Sequence, residues 1–133
     1  MDADVYPRNR PARADLIDGT IGEGSPFHAT FGYYAQGVAP TTATLPRGWE
    51  QRLVRVRSAN ARGATGWCLD VHNLVISKFV ANRPKDHMFI VAAAHAGLLD
   101  ARTLHDRLHA TEVDPALRAD IGARIDRDVG PGR

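Results

Sequence analysis

Residues 68–86 read CLDVHNLVISKFVANRPKD. Leu74, Val75, Ile76, Phe79 and Val80 recur at helical spacing, which predicts a helix over 72–82 with Asp70 as its N-cap. Pro84 suits the first turn of a second helix, running to about Ala96 and stopping at Gly97. Lys78 lies inside the apolar run, and Arg83, Lys85 and Asp86 crowd around Pro84. A charge inside an apolar helix is costly unless it is paired or used. The fold must therefore give Lys78 something to face. Lys78 and Lys85 are also the only lysines in a chain whose other strong bases are all arginine. Lysine acts as a compact point charge with an adjustable pKa, where arginine offers a planar fork.

The pattern stays helical toward the C-terminus. Asp100 caps a third helix carrying Leu104 and Leu108, and Asp114-Pro115 opens a fourth with Leu117, Ile121 and Ile125 on one stripe. Gly130-Pro131-Gly132 reads as a tail. The N-terminal part reads differently. Met1–Pro7, MDADVYP, alternates with strand periodicity and is ended by Pro7. A strand that begins at the first residue must pair with one formed later, which suggests a natural start upstream of Met1. Ala12–Ile21 predicts a short helix with Leu16 and Ile17 inward and Gly19 as its stop. The loop from Gly19 to Pro26 is glycine-rich, but its spacing fits neither the P-loop nor the dinucleotide fingerprint. Phe27–Val38 predicts a strand, or a bend and a strand, broken at Gly32 and Gly37. Pro40–Pro46 is a loop. Trp49–Arg57 predicts a strand with one basic face, Ser58–Gly66 a turn, and Trp67–Leu69 a short strand. Strands followed by helices make an α+β protein. We read one domain over 1–133, strand-rich over 1–69 and helical over 70–129.

Composition narrows the class. A chain of 133 residues with 44% hydrophobic and 7% aromatic residues can bury a real core and is not of the disordered class. No apolar run is long enough to span a membrane, and Asp2 and Asp4 at the start do not resemble a secretory signal. The single cysteine, Cys68, excludes an internal disulfide. Together these predict a cytoplasmic protein. The net charge of +2 is only mildly basic.

Three places can carry chemistry. Asp2 and Asp4 lie two apart on a strand and so point the same way. Such a pair repels itself unless a cation lies between, and hard Mg²⁺ is held by one or two carboxylates plus substrate phosphates. An exposed acidic chain end is the plainer reading. Lys78 can reach a triphosphate, or it snorkels at a helix edge. Asp86, with Arg83 and Lys85, either orients a lysine or works near a metal, or is simply a favoured acid at a helix N-terminus in a weak surface salt bridge. The other signals are weaker. His105 and His109 have the i, i+4 spacing of a zinc pair but no Glu after His105 and no third ligand. Cys68 near His72 suits a small core residue better than a nucleophile. Arg52, Arg55 and Arg57 make either an RNA-contacting strand face or a solvated one.

Longer runs resemble a known family. Asp2-Ala-Asp4-Val-Tyr-Pro7, Asp15-Leu-Ile-Asp-Gly19, Gly22-Glu-Gly-Ser-Pro-Phe-His28, Phe31-Gly-Tyr-Tyr-Ala-Gln-Gly-Val38, Leu45-Pro-x-Gly48-Trp49 and Cys68-Leu-Asp70-x-His72-Asn73, followed by Ser77-Lys78 and Arg83-x-Lys85-Asp86, are similar to a bacterial nucleotidyltransferase-like group related to the abortive-infection (AbiE-type) toxin nucleotidyltransferases. The similarity runs from Met1 to about Ile125. It implies a partial polymerase β-like nucleotidyltransferase fold, a mixed sheet followed by a helical C-terminal half. It implies Asp2 and Asp4 as Mg²⁺ ligands with an NTP substrate, Lys78 and Asp86 as catalytic positions, and Arg83 and Lys85 as flanking basic positions that bind the nucleotide. Three departures stand out. The Gly-Ser segment that precedes the acidic strand in such enzymes is missing, Asn73 stands where relatives often have Asp, and Pro84 replaces a better helix former. The first implies an N-terminally truncated chain.

Two functions follow. One is a Mg²⁺-dependent nucleotidyltransferase, the toxin part of a toxin–antitoxin pair, moving NMP from NTP to RNA (tRNA) or to protein. The other is an inactive relic of the same fold that serves as a binding or dimerisation module, with a homodimer covering an exposed sheet edge.

Overall fold

The computed structural model describes residues 2–39, 41–57, 59, 63 and 65–130, with Asp2 described in its backbone only. Met1, Pro40, most of the expected turn over 58–66 and the tail from Pro131 lie outside the described residues. The fold is α+β with a helical C-terminal half. Its contacts divide it into two compact units, Met1–Thr42 and Ala43–Arg133.

The N-terminal unit is built on two strands, β1 (Asp2–Val5) and β2 (Tyr34–Gly37), paired in parallel with Asp4 opposite Gln36. A parallel pair needs a crossover connection. Helices α1 (Ala14–Ile21) and α2 (Pro26–Phe31) supply it. Helix α1 packs on β2 so closely that a Cβ on Gly37 would run into the Ala14 carbonyl. The Gly37 N–H donates to Asp18 Oδ1 at 2.8 Å, which fixes the same contact.

Three expectations change here. Gly19 lies inside α1, and Gly22 is the residue that ends it. Residues 27–31, read as part of a strand or of a bend before one, lie in α2. Ser25 Oγ accepts from the His28 N–H at 3.2 Å, Pro26 occupies the first turn, and Gly32 closes the helix at φ 75°. Cap chemistry at both ends outweighs the β-preference of the aromatic residues between them. Among the described residues, the first 69 thus hold two α-helices as well as four strands. Leu16, expected inward, is 58% exposed.

In the C-terminal unit, residues 49–52 form a 3-10 turn. The expected strand shrinks to β3 (Val54–Val56), paired antiparallel with β4 (Gly66–Cys68). Both strands are exposed along their length, so Cys68 is an exposed thiol and not a core residue.

Helices α3 (Val71–Ala81), α4 (Pro84–His95), α5 (Ala101–His109) and α6 (Pro115–Asp128) follow, close to the bounds expected from sequence. Their caps are the expected ones. Asp70 accepts from the His72 and Asn73 N–H groups, Asp100 from Thr103, and Asp114 from Leu117. Gly97, at φ 71°, follows α4. Val75, Ile76 and Phe79 of α3 meet Ile90 of α4, Leu104 and Leu108 of α5, and Ile121 and Ile125 of α6 in one buried core. Among the described residues no helix is long and apolar enough to cross a membrane.

One buried polar contact ties the 3-10 turn to the bundle. Arg52 Nη2 donates to Asn73 Oδ1 at 3.2 Å and to the Arg47 carbonyl at 2.9 Å. Asn73 is fully buried and its Nδ2 has no partner among the described residues. Burial pushes the Arg52 pKa down and nearby Arg107 adds to this, with Asp70 opposing. The side-chain acceptor that Arg52 meets directly, Asn73 Oδ1, is neutral. Asn73→Asp is expected to supply a charge-assisted acceptor and raise stability by about 1 kcal/mol at neutral pH. Urea denaturation measures this, and a clear loss of stability would contradict the contact.

Candidate functional site

The corner between α3 and α4 gathers the charges that the sequence left unexplained. Helix α3 ends at Asn82, which adopts the left-handed conformation at φ 52°. The chain then turns through Arg83 into Pro84, and α4 begins. That turn places Asp86, in the first turn of α4, beneath Lys78, in the last turn of α3.

Asp86 is fully buried. Its Oδ2 accepts from the Arg83 N–H at 3.1 Å and from Arg83 Nε at 2.7 Å. Its Oδ1 accepts from Arg83 Nη2 at 3.2 Å and from Lys78 Nζ at 3.4 Å. This is no exposed salt bridge at a helix end, because the carboxylate is wholly out of water. Burial by itself pushes its pKa up. The hydrogen bonds from the Arg83 side chain and backbone, with the charges of Arg83 and Lys78, outweigh that and hold it below the usual carboxylate range. A carboxylate so engaged is a poor proton acceptor and a good anchor.

Lys78 is the anchored group. Its side chain is 23% exposed, with Nζ 4.7 Å from the centroid of the Phe89 ring. It is held from one side by a carboxylate and from another by an aromatic face. Arg83 keeps 55% of its side chain exposed. Lys78 and Arg83 thus share one buried anion. Lys85 is exposed and forms no ion pair among the described residues.

A cleft of about 210 Å³ opens beside this cluster. Lys78, Asn82 and Arg83 line one side, and Arg124 and Arg127 of α6 the other. Arg124 Nη1 donates to Asn82 Oδ1 at 2.8 Å, and Arg124 Nε lies 2.9 Å from Asp120. Arg127 donates to both oxygens of Asp128, at 2.7 and 3.0 Å. Those hydrogen bonds hold the Asp128 pKa down against its burial, helped by the charges of Arg127, His87 and Arg124. The α6 arginines were not singled out from sequence. Their i, i+3 spacing in the last turns of an amphipathic helix was the only signal, and it reads equally well as a solvated face.

The remaining candidates belong to other elements. Asp4 is exposed on β1 of the N-terminal unit, and its carboxylate forms no ion pair among the described residues. Asp2 lies two residues before it in the same strand, and its side chain is outside the described residues. His72 Nε2 accepts from the Asp100 N–H at 3.0 Å, joining the starts of α3 and α5. His105 contacts Asp126 at 2.8 Å. Among the described residues no three His, Cys, Asp or Glu side chains stand together as a metal site.

A model of the family described as "Nucleotidyltransferase of unknown function (DUF6036)" matches residues 1–121. The chain belongs to this family. The match takes in β1, the α3–α4 corner and the first half of α6, so the acidic strand and the Lys78–Asp86 cluster both lie within the family's shared region. Neither the curated proteins nor the solved structures give a match to this chain.

Asp86 and its two cations yield a pH test. The carboxylate ionises more readily in the folded than in the unfolded chain. Its contribution is therefore complete above the unfolded value, about 3.9, and is lost as the pH falls through the lower folded value. Asp86→Asn is expected to cost about 2 kcal/mol at pH 7, by loss of charge-assisted hydrogen bonds. The gap between variant and wild type should close on acidification below about pH 4. Denaturation curves across pH read this directly, and a gap that persists unchanged into acid would mean that the carboxylate is not charged in the fold.

Proposed function

We propose that this protein is a Mg²⁺-dependent nucleotidyltransferase that moves NMP from an NTP to an RNA or protein acceptor. The observation that carries the reading is Asp86 buried under Lys78 and Arg83, a structure that holds two cations at the mouth of a basic cleft within a nucleotidyltransferase family.

Asp2 and Asp4 are the metal positions. Asp4 suits a hard cation: it is exposed, on a strand, and without an ion-pair partner among the described residues. A bound Mg²⁺ would neutralise charge on the triphosphate and help to align it for in-line displacement. The chain's own residues then divide the work. Lys78 contacts phosphate and offsets charge developing on it. Arg83 and Lys85 hold the nucleotide's outer phosphates. Asp86 keeps Lys78 in place and does not itself take a proton. The resemblance to the abortive-infection toxins extends the proposal to a toxin role in the cytoplasm, opposed by an antitoxin, with tRNA as one acceptor.

The test is transfer of label from α-radiolabelled NTPs, with Mg²⁺, to total tRNA and to protein. Transfer is expected with the wild type. Asp4→Ala should reduce it at least a hundredfold, and Lys78→Ala by about 10²–10³, the range for loss of one group that stabilises charge in the transition state. Lys85→Ala should act mainly on the apparent affinity for NTP. No transfer to either acceptor, under conditions where the protein is folded, would contradict the reading. It would favour a catalytically inactive module of the same fold that binds a partner or a second copy of itself.

A further inference from the structure

The β3–β4 hairpin carries a second feature that the corner of α3 and α4 does not use. Val54 pairs with Cys68, Arg55 with Trp67, and Val56 with Gly66. Side chains alternate along a strand, and residues directly opposite share a face. One face therefore presents Arg55, Arg57 just beyond the strand end, and Trp67. The other presents Val54, Val56 and Cys68. Trp67 is 54% exposed. Arg55 and Arg57 are exposed and form no ion pair or hydrogen bond among the described residues. The stretch from Gln51 to Leu69 holds four arginines and no acidic residue. Arg52 is committed to Asn73 and the Arg47 carbonyl, so it does not belong to this face.

We propose that the Arg55–Arg57–Trp67 face is a docking surface for single-stranded RNA. A two-stranded hairpin with both faces in water is marginal by itself, which makes this one suited to binding. An acid-free run of arginines complements a polyanion. An acidic peptide would satisfy the arginines but give no use to the exposed indole. An unpaired base does, because every base has a π-face and stacks on an aromatic side chain flanked by arginine. Duplex bases are already stacked, and the single strands of a cell are mostly RNA. The inference rests on the reading of the protein as a nucleotidyltransferase only for its purpose, which would be to hold an RNA acceptor; the binding surface stands on its own geometry.

The experiment is fluorescence anisotropy of a labelled oligouridine of about twelve nucleotides, a length in the range of single-strand site sizes, titrated with the full chain at several salt concentrations. A duplex of equal length and the matching oligothymidine are run in parallel. Binding to the single strand is expected, weakening as salt rises. Trp67→Ala should weaken it roughly tenfold and Trp67→Phe much less, as expected for loss of one stacked base. Arg55→Ala should lower the salt slope by about one. Melting curves of the variants should match the wild type, since these side chains are exposed. Equal affinity for duplex, or binding insensitive to Trp67→Ala, would overturn the proposal. So would oligothymidine binding several-fold more tightly than oligouridine. Concentration-dependent self-association that Trp67→Ala abolishes, with RNA binding intact, would assign the face to a second copy instead. None of these readouts needs NMP transfer, so an inactive enzyme that still binds RNA through Trp67 would sink the catalytic reading and leave this one standing.

Discussion

The buried carboxylate of Asp86 is the constraint on which the α3–α4 corner depends. An ionised acid out of water is tolerated only when its lone pairs are taken up by donors and its charge is met by cations. Arg83 supplies the backbone donor and the guanidinium, and Lys78 supplies a second charge. The same contacts set the geometry of the turn. Asn82 must take a left-handed conformation for α3 to end, and Pro84 must start α4 at once, for Asp86 to arrive under Lys78. The turn is thus held by an electrostatic demand as much as by packing. Asn82 also receives Arg124, which links the corner to α6.

That arrangement changes what each group can do. A carboxylate that accepts four hydrogen-bond contacts and whose pKa is lowered does not serve as a base. It serves to hold a lysine in place at the edge of an apolar helix. The lysine that was conspicuous in the sequence therefore faces an acid eight residues on and an aromatic ring eleven residues on. Asp4, on β1 of the N-terminal unit, is exposed and forms no ion pair among the described residues.

Much of the C-terminal half was legible because its signals agree with each other. Asp70, Asp100 and Asp114 are caps, Pro84 and Pro115 begin helices, and the apolar stripes of Leu104/Leu108 and Ile121/Ile125 face the core. The N-terminal half was less so. In Phe27–Phe31 the aromatic β-preference pointed one way and the Ser25-Pro26 start and Gly32 stop pointed the other, and the caps prevailed. Trp49–Arg57 showed partial alternation that spans a 3-10 turn and only three strand residues, because strand periodicity is weak evidence over so short a run. Cys68 was read as core by its type, yet an isolated hairpin gives it nothing to be buried against. At the candidate site, an Asp86 that orients a lysine was one of the readings the sequence left open, and its contact is with Lys78. The full burial of Asp86 and the arrival of Arg124 and Arg127 did not, since they depend on how α6 packs across the bundle.

Calorimetric titration of a non-hydrolysable NTP analogue with Mg²⁺ into the wild type, Asp86→Asn and Lys78→Met tests most directly whether the buried acid holds Lys78 ready for phosphate. Clear binding by the wild type is expected, with a loss of roughly tenfold in both folded variants, in keeping with one charge-assisted contact. Affinity left unchanged when Asp86 or Lys78 is replaced would contradict it.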